Sequence, residues 1–444
     1  MREKKMIRKT LLLGVLIALL SGLAGAQTAT DLAALKGLAP VTVLVKSAGG
    51  NQALASNYVV TGGLQNGTIR QATLLPFADQ QQQALRDVFI TGGNLAELAD
   101  GLGTTLGGAY LARAHYIDPN HFTSLSPAVA SVITLAVGTS GANSGSAKCF
   151  FANATTDGKK TVSAEAMKIL SETGGETDIF GKSYGLPAGS PGADSYGNSR
   201  PFQTEPSIAP ILGPDYFNVP ANNLVYSRGP LMNLVDSPSF PSGHTTYGYT
   251  GALLLAILVP ERYQQMIVRG AEYGNDRILV GAHYAMDVIG GRTLALYDMA
   301  HLLAGDPAYG NQDFQAAIRT ARADMVAVLA ASCGKSVAES ACEDTGRFSN
   351  AAANEAFYDS TQTYGMAIVY PENANKIEDV GTLASEAGYL LTAAFPSLTL
   401  EQADRILTET EGPGGGFLDN GSAFGVYSRL NLYAAAGRAA ALGK

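Results

Sequence analysis

The sequence predicts an all-α fold, and three observations carry that expectation. Apolar residues recur at helical spacing through most of the chain. Short Gly-rich loops separate the runs of the C-terminal part. Convincing alternating strands are few, with minor β expected only near Val41 to Val45.

The elements follow in order. Arg2, Lys4, Lys5, Arg8 and Lys9 precede a short apolar run, Leu11 to Leu20, and Ala24-Gly25-Ala26 offers small residues for cleavage before Gln27. Residues 1–26 therefore read as a secretory signal peptide. The other reading is a membrane anchor, but the run falls short of the ~20 residues that span a bilayer. Export implies a periplasmic or secreted protein.

Thr28 to Leu74 is mixed in pattern. Ala78 to Tyr116 reads as one or two helices broken at Gly92-Gly93. Ala128 to Gly138 and Val162 to Thr173 are further helices. Gly181 to Asn223 has no period and is rich in Gly, Pro, Ser and Asn. So long a loop is often functional, and its Tyr184, Tyr196, Phe202, Ile211, Tyr216 and Phe217 argue that it packs on something. Helices resume at Gly243 to Val259, Arg262 to Tyr273, and Ala282 to Leu303 with a slight interruption at Gly290-Gly291. Phe314 to Ala331, Asn350 to Gln362, Val380 to Ala394 and Leu400 to Thr410 complete the pattern.

Composition narrows the function. The 444 residues carry a formal net charge of −8. The leader contributes five positive residues and Glu3, so its removal leaves −12. An acidic protein argues against nucleic acid or an anionic membrane as a bulk partner. Later apolar runs such as Gly251 to Val259 are too short to span a bilayer, so no integral membrane segment is expected after signal removal. Of three cysteines, Cys333 and Cys342 are the favoured disulfide pair in an oxidising compartment, with Cys149 left over. Their spacing is not that of a zinc site, and no metal is expected.

Three segments carry the chemistry. Ser242 is a good N-cap for a helix that opens Gly243-His244, so the first amides are free to bind an anion. Gly243 allows close approach of a ligand, and His244 beside it can donate a proton. Arg277, His283 and Asp287 form the second segment: a carboxylate four residues from an imidazole can fix its tautomer, and the arginine offers a planar fork to phosphate. The third, Arg200-Pro201 in the long loop, says little alone.

Together these motifs resemble the type 2 phosphatidic acid phosphatase superfamily, most closely its soluble bacterial class A non-specific acid phosphatases. Vanadium-dependent haloperoxidases are related to it. Its signature runs from a Lys with an Arg-Pro seven residues on, through Pro-Ser-Gly-His, to Ser-Arg with a His six after the Arg and an Asp four further. Arg200-Pro201, Pro241 to His244, and Arg277, His283 and Asp287 match in order. The resemblance implies a helical bundle over residues 27–305, followed by a C-terminal helical extension, 306–444, of unknown role. It implies an exported, metal-independent phosphatase acting on small phosphomonoesters, with no cofactor. His283 would be the nucleophile, Asp287 its orienting group and His244 the general acid. Arg200, Arg277, Ser242 and the Gly243 amide would hold phosphoryl oxygens. The sequence is compatible with a homo-oligomer.

Two positions depart from the signature. Asp276 replaces the Ser before the last Arg, and Ala193 stands at the Lys position. Lys182, in the same loop, is expected to fold back and supply the missing charge; a solvated Lys182 and a site working with two arginines is the other reading. The alternatives to a phosphatase are a vanadate-loaded haloperoxidase using the same residues and a phosphate-binding protein with a decayed site.

Overall fold

The computed structural model describes residues 27–69, 74–89, 93–205, 208–224, 234–310 and 313–442. The signal-like segment 1–26 and Gly92 of the predicted break lie outside them. The protein is all-α, as expected. Six long helices organise it: α1 (Ala48–Asn66), α2 (Pro127–Asn153), α3 (Gly243–Leu258), α4 (Tyr263–Leu279), α5 (Ala285–Ala304) and α6 (Phe314–Cys333). The strands among the described residues are two short antiparallel pairs: Tyr116–Asp118 with His121–Phe122, and Leu212–Pro214 with Pro220–Asn222.

Helix α3 is the centre. Every residue from His244 to Leu258 is buried, as expected of a helix that is apolar on all sides. It packs against α2, α4 and α5. Its contact with α4 is close because Gly270 and Gly274 meet it where a Cβ would crowd Ala252 and Thr245. Gly290-Gly291, read as an interruption, instead lies inside an unbroken α5. A Cβ at Gly290 would stand 2.5 Å from Phe240, and one at Gly291 would stand 2.5 Å from the Ser242 carbonyl oxygen. The pair lets α5 press on the start of α3.

Several expectations are corrected. Residues 39–46 form a 3₁₀ helix rather than a strand, with Pro40 near its start and Thr42 donating to the Ala39 carbonyl at 2.7 Å. Helix α2 runs far beyond Gly138. Its second half is rich in Ser, Gly and Asn, yet Ser140, Asn143 and Ser144 face the core. Ser140 donates back to Ala136 at 3.1 Å, and Asn143 reaches Asp298 at 2.8 Å. Residues 380–392 form three short turns, broken at Ala384, rather than one helix. Cys333 and Cys342 are not bonded: each ends a separate helix, Cys333 packed beside the core and Cys342 exposed.

Residues on both sides of 305 contribute to one core, from Leu95 to Ala439. Buried Arg292 of α5 donates to the carbonyls of Thr361, Gln362 and Ser428 at 3.2, 3.1 and 2.8 Å. Buried Arg269 of α4 joins Asp87 at 2.6 Å and Asp100 at 2.7 Å, and Arg347 reaches Asp100 and Glu272 at 2.7 and 2.6 Å. Among the described residues, no single helix is long and apolar enough to cross a membrane. One helix pair would pass that test jointly, but it is bent by 98°.

Two glycine substitutions separate close packing from propensity. Gly291→Ala should destabilise by ~1–3 kcal/mol, because its methyl group meets backbone that must shift. Gly138→Ala, on an exposed face of α2 with nothing within 4 Å of the added carbon, should stabilise by ~0.5–1 kcal/mol. Denaturant midpoints measure both, and opposite signs are expected.

Candidate active site

The three motif segments meet where α3 and α5 begin. The Ser242 amide donates to the Asp287 carbonyl at 2.9 Å, which joins the two helix starts. Ser239 follows the same path, its amide donating to Asn198 at 2.8 Å and so tying the long loop in. That loop is ordered by Asp178, whose carboxylate accepts from Ala188 at 2.7 Å and from Asn198. Gly197 is required there: φ is +104°, and a Cβ would stand 2.8 Å from the Asp178 carboxyl carbon. The loop's aromatic residues do pack, Tyr184 against Tyr58 at 4.7 Å and Tyr284 at 4.9 Å.

His283 and Asp287 do not share a helical face. After α4, Gly281 at φ +76° turns the chain sharply, and the amides of Ala282 and His283 return to the Arg277 carbonyl at 3.0 and 3.2 Å. His283 thus precedes α5, and Asp287 is its third residue. The Asp287 Oδ2 accepts from the Tyr284 amide at 2.8 Å and from the Ser239 hydroxyl, and lies 3.3 Å from His283 Nδ1. Its Oδ1 is buried with no partner among the described residues.

His283 is fully buried, and its Nε2 lies 3.0 Å from Arg200 Nη1. A guanidinium only donates, so this nitrogen carries the lone pair and Nδ1 carries the proton facing Asp287. Arg200 is fully committed. Its Nε donates to the Ser237 carbonyl at 2.7 Å, Nη1 to Ala282 at 2.9 Å and to His283, and Nη2 to the Ser237 hydroxyl at 3.2 Å and Pro238 at 3.1 Å. These occupy all five of its N–H groups.

Arg277 contrasts with it. It is buried, lies 4.7 Å above the Tyr273 ring and, among the described residues, donates only through Nε, to the Tyr273 carbonyl at 3.3 Å. Its Nη2 has no partner among the described residues. His244 sits across from His283 with ring centroids 5.6 Å apart, and its Nε2 has no partner among the described residues. His244 is 7 % exposed and His283 is 0 % exposed, so His244 lies on the solvent side. Ser242 caps α3: its Oγ accepts from the Thr245 amide at 3.1 Å and the Thr245 hydroxyl at 2.9 Å, leaving its own proton free to donate. The Gly243 and His244 amides, at the start of α3, lack the intrahelical acceptors available further along.

Lys182 does not fold back. Its ammonium faces Glu176 at 3.6 Å, both side chains half exposed, because the short helix Ile179–Ser183 directs it outward. The cation that does reach the site is Lys148 of α2. Its Nζ donates to the Pro238 and Ser239 carbonyls at 2.8 and 3.1 Å, just ahead of Ser242. The motifs could not reveal it, but one signal could have: Lys148 is the only charged residue in 127–153. Asp276 takes no part in the site. It is buried toward Asp87 and Glu272, and burial with those carboxylates holds it well above the usual carboxylate range.

The electrostatics follow from this crowding. Burial, then Arg200 and Lys148, push the His283 imidazolium well below the ordinary histidine range. Burial, then Arg277, Arg200 and Lys148, do the same to His244. Burial raises Asp287 to about 6, against hydrogen bonds from Ser239 and Tyr284, and raises Asp194, near Arg200, to about 6. The site therefore disfavours protonated histidine and ionised carboxylate alike until an anion offsets the cations.

Residues 190–303, which contain all three motif segments, match the PAP2 superfamily. Curated relatives agree. The chain is 38 % identical over 87 residues to an acid phosphatase of Zymomonas mobilis, covering 20 % of this chain and 31 % of the relative. It is 45 % identical over 64 residues to a non-specific acid phosphatase of Salmonella typhimurium, covering 14 % and 26 %. A non-specific acid phosphatase of Providencia stuartii is 34 % identical over 84 residues, 19 % of this chain and 32 % of the relative. The matches thus span about a third or less of these relatives.

The depressed histidines give a direct expectation. A group whose folded pKa is lowered contributes stability above its unfolded pKa, about 6.5, that is lost as pH falls toward the folded value. Nitrogen NMR of the ligand-free protein should find His244 and His283 neutral at pH 6. Ordinary titration near 6.5 at both rings would contradict the arrangement.

Proposed function

We propose that the protein is an exported phosphatase that hydrolyses phosphomonoesters through a phosphohistidine on His283. One observation carries the reading: a buried imidazole with its Nδ1 proton facing Asp287 and its Nε2 lone pair facing Arg200, among cations that form no salt bridge among the described residues. The curated relatives named acid phosphatase favour hydrolysis over halide oxidation. The leader-like segment 1–26 supports export to the periplasm or medium.

The phosphoryl group enters above His283. One of its oxygens takes over the Arg200 Nη1–H that otherwise covers Nε2, uncovering the nucleophile. Arg277, the Ser242 hydroxyl and the Gly243 amide hold the remaining oxygens; positioning and charge stabilisation dominate this chemistry. The Nε2 lone pair attacks phosphorus, and the bond to the leaving oxygen breaks. Asp287 stabilises the charge developing on the ring.

His244 gives its proton to the leaving alkoxide. The bound anion makes this workable, because its negative charge offsets the cations that hold His244 neutral in the empty site. His244, now neutral, accepts a proton from water as the water oxygen attacks phosphorus. The P–N bond breaks, phosphate departs and His283 is restored. In this reading the guanidinium and ammonium groups supply the positive charge, and no metal is required.

Release of nitrophenol from its phosphate monoester tests the assignment. His283→Ala should abolish it. His244→Ala should slow an alkyl phosphate by ~10²–10⁴-fold, with a smaller effect on a nitrophenyl leaving group that needs no proton. Vanadate should inhibit the native protein. Normal turnover by His283→Ala would exclude the mechanism.

A further inference from the structure

We propose that Lys148, reaching in from α2, is a phosphate-binding residue that fills the place left by Ala193. This deepens the reading of the site as a phosphatase centre and rests on it. Lys148 lies outside the matched residues 190–303 and outside every motif segment.

The geometry has three parts. First, Nζ donates to two main-chain carbonyls, Pro238 and Ser239. An ammonium has three N–H groups, so the third is left without an acceptor among the described residues. Lys148 forms no salt bridge among the described residues, although it is a cation close to Arg200. Second, the lysine lies against the anion-binding helix start: a Cβ on Gly243 would stand 3.3 Å from Lys148 Cε and 3.3 Å from Ser144 Oγ. Ser144, one helical turn before Lys148, is buried and its hydroxyl has no partner among the described residues. Two groups of α2 thus approach Gly243, the residue whose amide the mechanism uses. Third, Lys148 shares the Pro238 carbonyl with Arg200, which places both cations on one wall.

The charge balance points the same way. Lys148, Arg200 and Arg277 converge, while both nearby carboxylates, Asp287 and Asp194, are raised to about 6. Lys148 itself is held well below its ordinary range by desolvation and then by Arg200. A purely structural lysine would be served better by a neutral donor to the same carbonyls. A phosphoryl dianion bound at the Gly243 amide gives the third N–H an acceptor and the cation cluster its counter-charge.

Calorimetric titration of inorganic phosphate into native protein, Lys148→Gln and Lys148→Met tests this. Gln retains a donor for the two carbonyls without the charge; Met retains the stem alone. Both should lose phosphate affinity by about tenfold or more, the low end for a charge-assisted bond. A folded Lys148→Gln with affinity within twofold of native would overturn the proposal and leave the phosphatase reading standing. A native protein that neither binds phosphate nor hydrolyses a monoester would overturn both. A second measurement needs no variant: phosphate should protect Lys148, and not Lys182, from amine acylation followed by mass spectrometry. Equal labelling of Lys148 with and without phosphate would also overturn the proposal.

Discussion

Three cations gathered around two neutral imidazoles are the constraint on which the rest of the structure depends. Burying like charges together is costly, and an isolated buried charge more so. The fold meets this cost with main-chain carbonyls rather than carboxylates. Arg200 donates to Ser237, Pro238 and Ala282, and Lys148 to Pro238 and Ser239. Carbonyls solvate a cation without cancelling its charge, so the site keeps a positive field that an anion can satisfy.

Holding those carbonyls in place explains much of the surrounding architecture. The segment Ser237 to Pro241 is pinned from one side by Asn198 and from the other by α5. The glycine pair Gly290-Gly291 lets α5 approach closely enough for the Asp287 carbonyl to receive the Ser242 amide. Helix α4 then brings Arg277 up beside Tyr273, while Arg269 on the same helix is neutralised by Asp87 and Asp100. Two arginines of one helix thus have opposite roles. One is paired with carboxylates and structural; the other acts on His244 and keeps a nitrogen with no partner among the described residues. The C-terminal residues stabilise this frame through Arg292 and the shared core.

The helices and the motif residues were legible because each rests on local sequence. Ser242 caps α3 as its residue type predicts, and Arg200, Arg277, His244, His283 and Asp287 converge as their order implied. Misreadings arose where tertiary contacts overrule local pattern. The polar second half of α2 is helical because Ser140 and Asn143 find buried partners. His283 and Asp287 meet across a glycine turn rather than along a helix. Lys182 was the nearest lysine in sequence, but nearness in sequence does not decide nearness in space; Lys148 arrives by the packing of α2 on α3. On the proposed role of Lys148, Ala193 no longer argues for a decayed site.

The most direct test of the account is to trap the covalent intermediate. Native protein mixed with a nitrophenyl phosphate and quenched rapidly in alkali, where phosphohistidine survives, should yield a peptide phosphorylated at His283. Phosphate release with no phosphoryl group on any histidine, or with the label on His244, would contradict it.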